Sequence, residues 1–265
     1  MKYYEIADAL IGVECEESAP GFLAGFEAEP GDREPLLSVQ ITEQQVDTYG
    51  ICCSTRLPGE HYVLTGEKSG ACRLFANKSW SRARLICPKT QDLAQQELMA
   101  AAFCSRLSRV GGLLFHGSAV AYEQNGVVFI GRSGVGKTTQ AELWQKHLGA
   151  TILNGDKVFL RYRKKELYAF GSPWKGSSPY GLRGCAKVKA VVLLRQGAEN
   201  VLEKLPPVQA AQAMISHLFY PRWDSVATQR AMDAVEKVLK DVQVYKLTCR
   251  PDRDAVMLLE KEIRL

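Results

Sequence analysis

The stretch Gly131-Arg132-Ser133-Gly134-Val135-Gly136-Lys137-Thr138 constrains the fold more than any other part of the 265-residue chain. It satisfies G-x-x-x-x-G-K-[ST], a pattern expected by chance in about one chain in a hundred of this length. A loop of this kind needs a buried strand before it and a helix after it. Val127 to Ile130 (VVFI) supplies the apolar strand, and Thr139 to Leu148 reads as the helix, with Gly149 placed for a left-handed cap. Glycines let consecutive backbone N–H groups turn around phosphate oxygens where a side chain would collide. The helix N-terminus adds positive potential. Gly131, Ser133, Gly134, Val135, Gly136, Lys137, Thr138 and Thr139 are therefore the candidate nucleotide contacts. Lys137 is suited to bridge the β- and γ-phosphates of ATP, and the Thr138 hydroxyl to coordinate Mg²⁺. The alternative is an ordinary glycine turn with an exposed lysine, but no structural need requires all four fixed positions together.

The rest of the chain divides around this loop. Residues 1–89 carry short apolar stretches separated by Gly, Pro and acidic clusters, which predicts a β-rich unit of antiparallel strands. Thr90 to Val110 has high helix propensity and ends at Gly111-Gly112, so 90–112 reads as a connecting helix. Residues 113–265 alternate strands and helices, which marks an α/β unit. Helices are expected after Pro206-Pro207, Asp224 and Pro251. In the first of these, Val208, Ala211, Ile215, Leu218 and Phe219 share a face, which predicts that they are core.

A hairpin leads into the loop. Asn125-Gly126 between two apolar runs is a strong turn signal, and with it as the two-residue turn His116 falls opposite Val135. His116 is then either a site residue beside the phosphates or a buried structural histidine.

Charge is distributed unevenly. Residues 1–50 hold eleven acids against Lys2 and Arg33, whereas residues 151–200 hold ten bases against three acids. A basic segment suits polyphosphate, or it is a solvated face. Nucleic-acid binding is not expected, because the segment lacks aromatic interleaving and a binding motif. No apolar run is long enough for a membrane span, and the acidic start MKYYEIADAL does not read as an export signal. These features predict a cytoplasmic protein. The eight cysteines show no C-x-x-C, so reduced, mostly buried thiols are expected rather than zinc.

The segments FHGSAV (115–120), GRSGVGKTT (131–139), ILNGDKVFL (152–160) and SPWKG (172–176), with the ending VYKLTCRPDRDAV (244–256), resemble the kinase domain of HPr kinase/phosphorylase. That domain shares a nucleotide-binding core with ATP-dependent phosphoenolpyruvate carboxykinases. The resemblance covers Leu113 to Leu265 and does not extend to residues 1–89. It implies an α/β P-loop kinase domain with a mixed, partly antiparallel sheet, beside a smaller β-rich domain. It implies that Lys137 and Thr138 hold triphosphate and metal, with His116 next to the phosphates. It also points to Asp156 as the residue that orients or deprotonates the acceptor and helps to hold the metal. HPr kinases present two adjacent aspartates there, whereas this chain has Gly155-Asp156. Either Asp156 combines the roles or the acceptor site differs; a turn-forming Asn-Gly-Asp is the other reading. The SPWKG loop is expected to border the site, with Lys175 and Arg183 as candidate contacts to phosphate or an acidic acceptor.

The function expected is Mg²⁺-dependent transfer of the γ-phosphoryl group of ATP to a hydroxyl on a peptide, a protein or a small molecule. A nucleotide-binding switch that hydrolyses slowly and phosphorylates nothing is the alternative. Homo-oligomers are compatible with either.

Overall fold

The computed structural model describes residues 1–16, 18–42, 59–65, 72–88 and 90–263. Two compact units are present, Met1–Val110 and Gly111–Leu265. In the first, strands β1 (Lys2–Ile6), β2 (Ala9–Cys15), β3 (Leu37–Thr42), β4 (Glu60–Thr65), β5 (Arg73–Asn77) and β6 (Arg82–Ile86) form one sheet in the order β1-β2-β3-β6-β5-β4. Helix α1 (Asp92–Arg109) packs on β5 and β6, and its Arg106 guanidinium donates to the carbonyls of Leu36 and Ser79.

This sheet corrects the expectation of purely antiparallel strands, because β3 runs parallel to both β2 and β6. A parallel neighbour needs a long connection, and the twenty-odd residues between β2 and β3 provide one. The thiols also differ from expectation, since Cys72 and Cys87 form a disulfide. Register explains it: Arg73 pairs with Ile86, so the next position along the ladder brings these two cysteines together. Cys15, Cys185 and Cys249 are half-buried thiols outside any disulfide, Cys104 is a fully buried one, and Cys52 and Cys53 lie outside the described residues.

The second unit contains β7 (Leu113–Tyr122), β8 (Asn125–Ile130), α2 (Lys137–Leu148), β9 (Thr151–Asn154), β10 (Lys157–Arg163), β11 (Glu166–Phe170), β12 (Cys185–Gln196) and β13 (Val201–Lys204). It continues with α3 (Pro207–His217), β14 (Leu218–Phe219), α4 (Ser225–Asp241), β15 (Gln243–Cys249) and α5 (Arg253–Ile263). The sheet runs β11-β10-β7-β8-β12-β15-β13, with β9 and β14 also on β7. It is mixed: β8, β12 and β15 are parallel, while β7, β10, β11 and β13 pair antiparallel.

Alternation along the central strands builds a core on each face of this sheet. Val128 and Ile130 of β8 and Val191 and Leu193 of β12 face one core, with Met214 of α3 and Val235 and Val238 of α4. Val127 and Phe129 of β8 and Val192 and Leu194 of β12 face the other, with Trp144 of α2 and Val256 and Leu259 of α5. A strand covered on both faces reads as a continuous apolar run, which is why VVFI has no polar break. The glycine-rich loop thus leaves a strand fixed from both sides.

Two expectations about this unit need correction. The β7–β8 turn is Glu123-Gln124, both at positive φ (47° and 66°), and Tyr122 pairs with Asn125. Gly126 lies within β8 because it approaches β12 closely; a Cβ there would come within 3.2 Å of the Ala186 Cβ. In α3, Ala210, Ala213 and Met214 are buried, while Val208 (71% exposed) and Ile215 (40%) are not; the expected helix also stops short of Leu218 and Phe219, which form β14 with Leu218 buried and Phe219 43% exposed. Both stripes of VQAAQAMISH are apolar, and the small alanines allow the nearer approach to the sheet.

Candidate active site

Strand β8 delivers the chain to Gly131, where a Cβ would stand 2.9 Å from Val135 Cγ1. Gly134 (φ 75°) and Gly136 (φ 104°) adopt the left-handed region that favours glycine, and α2 begins at Lys137. Among the described residues the Lys137 side chain is unusual in being charged and buried, at 7% exposure. Its Nζ donates to the carbonyls of Gly131 and Arg132, both at 3.0 Å, so the lysine lies folded under the loop. Burial lowers its pKa, and the nearby Asp156 opposes that shift. Ser118 of β7 fixes the same point from below, donating to the Lys137 carbonyl at 2.8 Å. Ser133 and Thr139 are exposed at the loop surface.

A second turn, between β9 and β10, faces this loop. Thr138 Oγ1 donates to the Gly155 carbonyl at 3.2 Å. Asp156 follows immediately, and the Gly117 N–H donates to its carbonyl at 2.9 Å. The Asp156 carboxylate has both oxygens engaged: Oδ1 lies 3.0 Å from His116 Nδ1 and Oδ2 lies 2.8 Å from Lys157 Nζ. Burial alone would raise the Asp156 pKa, but the hydrogen bonds and charges of His116 and Lys157 outweigh it and hold the carboxyl down at about 2.

The register accounts for this meeting. His116 pairs with Lys157 across β7 and β10, which sets both beside Asp156. The β7–β8 ladder ends at Gly117↔Ile130, so the next position along it from His116 is Gly131, not Val135. His116 therefore borders the loop at its first glycine.

The SPWKG segment closes the third side. Asn154, fully buried at the end of β9, accepts from the N–H groups of Asp156 and Lys157, each at 2.7 Å. Its amide donates to the Ser172 carbonyl at 2.9 Å. Ser172 Oγ donates in turn to the Lys157 carbonyl at 2.8 Å. Gly176, at φ 59°, comes so close that a Cβ would stand 2.8 Å from Asp156 Oδ2. Lys175 turns back toward the Pro179 carbonyl, 3.5 Å from Nζ, and Arg183 is exposed beyond it. The structure thus brings Lys137, Thr138, His116 and Asp156 together with the Gly176 backbone, and leaves Lys175 and Arg183 at the margin.

Several contributors have no signal in the sequence. Asn154 reads as part of a turn, Ser118 as a strand residue and Lys157 as a surface charge; Ser118 acts through Lys137 and Asn154 through Ser172 as well as its own turn, while Lys157 acts on the adjacent Asp156. His217 is another. Leu218 pairs with Phe115 and Phe219 with Leu114, so the next position along that antiparallel ladder brings His217 beside His116. Burial lowers the His217 pKa, and the positive charge of Lys137, His116, Arg195 and Arg132 adds to the effect.

Chemically, the arrangement offers a cation-rich concavity at a helix N-terminus with one carboxylate at its edge. Thr138 Oγ1 and the Asp156 carboxylate are hard oxygen donors, and no cluster of three or more His, Cys, Asp or Glu able to hold a metal occurs among the described residues. Two oxygen donors fit Mg²⁺, which takes its remaining ligands from phosphate and water. No helix among the described residues is long and apolar enough to cross a membrane.

No protein-family model and no curated protein matches the chain. Among solved structures it is similar to the Hpr(Ser) kinase/phosphatase from Coxiella burnetii, with a TM-score of 0.34 and 11% identity over 57% of this chain and 88% of that one. A likeness at that distance carries no conclusion about what this chain does.

Proposed function

We propose that the second unit is a divergent P-loop kinase domain of the HPr kinase and phosphoenolpyruvate carboxykinase type, moving the γ-phosphoryl group of ATP to a hydroxyl. The observation that carries this reading is the Asp156 carboxylate, held between His116 and Lys157 at the edge of a loop whose lysine is buried. In transfer the acceptor oxygen bonds to the γ-phosphorus as the bond to the β,γ-bridging oxygen breaks, and ADP leaves. The hydroxyl proton passes to the Asp156–His116 pair. Bound Mg²⁺, held by Thr138 and Asp156, would neutralise phosphate charge; Lys137 and the loop amides position the triphosphate. A loose phosphoryl transition state asks for orientation and charge neutralisation more than for a strong base, so one carboxylate of low pKa suffices.

The test is incubation of the full-length protein with γ-labelled ATP, Mg²⁺ and mixtures of peptides and small alcohols. Label appearing in an acceptor, lost in Lys137→Ala, is the expected result. Label passing only to water, at a rate no acceptor changes, would replace the kinase with the switch.

A further inference from the structure

A cavity of about 560 Å³ adjoins the glycine-rich loop. Arg132 and Val135 form its loop side, the end of β12 and Lys246 of β15 its floor, and Gln209, Gln212 and His217 of α3 its far wall. Its volume lies within the range of small-molecule sites. Every charged or titratable side chain in the lining is basic: Arg132, Arg195, His217 and Lys246. Lys246 is compensated by Glu203, 2.5 Å away and outside the lining, whereas no acid of the lining balances the other three. Leucines and the Gln209 and Gln212 amides complete the wall, so the cavity joins an apolar surface to positive charge and neutral hydrogen-bonding groups.

Position ties this cavity to the chemistry. His217 lies next along the ladder from Leu218↔Phe115, beside His116, and His116 Nδ1 is 3.0 Å from Asp156. His217 thus connects the cavity wall, through His116, to the Asp156 carboxylate.

We infer that this cavity binds the anionic group, a carboxylate or a phosphate monoester, of a small hydroxyl-bearing acceptor. The inference rests on the kinase reading and narrows its acceptor from any hydroxyl to a small anionic alcohol. Arg132 and Arg195 supply charge-assisted hydrogen bonds, and Gln209 and Gln212 hold the remaining polar atoms.

The test uses the full-length protein saturated with magnesium and a non-hydrolysable ATP analogue. The four histidines allow the His217 imidazole resonance to be assigned by comparison with His217→Gln. Glycerate, glycerol 3-phosphate and uncharged glycerol are then titrated. The His217 signal is expected to move with one or both anions and not with glycerol. Arg195→Glu and Gln212→Glu, both at exposed positions, should each weaken that titration at least tenfold. Three results would overturn the inference: no movement with either anion while the analogue binds, an equal response to glycerol, or a titration that neither variant weakens. Where the first of these holds although the anions do bind before the analogue is added, the cavity belongs to the nucleotide itself. Failure of the kinase reading looks different: either the analogue does not bind at all, or γ-labelled ATP gives up its label only to water whichever anion is present.

Discussion

His116 and Asp156 lie forty residues apart in sequence, yet Nδ1 of one stands 3.0 Å from Oδ1 of the other. Pairing of His116 with Lys157 places the imidazole, and the Asn154 side chain fixes the backbone that carries the carboxylate. Asp156 is thus a low-pKa carboxylate with both oxygens already oriented.

Replacing Asp156 by Asn keeps the shape and removes the charge. Phosphoryl transfer should fall by about 10²–10⁴-fold. Because the folded-state pKa of about 2 lies below the ordinary 3.8, ionised Asp156 stabilises the fold above about pH 4, and that stability is lost as pH falls toward 2. Urea unfolding at pH 7 and pH 2.5 should show a loss on acidification that is smaller in Asp156→Asn, by on the order of 2 kcal/mol.

Lys137→Met separates stability from activity. Burial opposes the charge of this lysine, so an apolar side chain of similar length should leave the melting temperature unchanged or higher. Transfer should be lost at the same time. A variant that unfolds would assign Lys137 a structural role instead.

Gly176→Ala tests the third wall. Its positive φ and the 2.8 Å approach of a Cβ to Asp156 Oδ2 mean that the methyl group must displace the carboxylate or the loop. The expected cost is about 1–3 kcal/mol, with a larger fractional loss of activity than of stability. Circular dichroism melts and an ATP turnover assay on the same samples measure both.

Asn154→Ala removes a fully buried side chain and leaves the N–H groups of the half-buried Asp156 and Lys157 without their acceptor. Destabilisation of about 2–4 kcal/mol is expected from the unsatisfied donors, read as a lower urea midpoint.

The sequence reveals the local parts of this site better than the long-range ones. Gly131 to Thr138 is one contiguous segment whose glycines have a single conformational use, so strand, loop and helix follow from it directly. The helices after Pro206-Pro207, Asp224 and Pro251 are legible for the same reason; Asp224 caps α4 through bonds to the Val226 and Ala227 N–H groups. Pairing across the sheet is less legible. Asn125-Gly126 carries a strong turn signal, yet the close approach of β12 uses Gly126 within the strand and moves the turn two residues earlier. The periodicity of α3 points to the stripe of Val208 and Ile215 as core, yet packing buries the other stripe, Ala210, Ala213 and Met214. His217 reaches the site only through such a pairing, so no local pattern marks it, whereas Asn154 and Lys157 lie in the same turn as Asp156.

Calorimetric titration of the full-length protein with MgATP tests the central claim most directly. Saturable one-to-one binding, abolished by Lys137→Ala in a protein that melts like the parent, is the predicted result. No heat of binding, or equal binding by the variant, would contradict a nucleotide site at the Gly131–Thr138 loop.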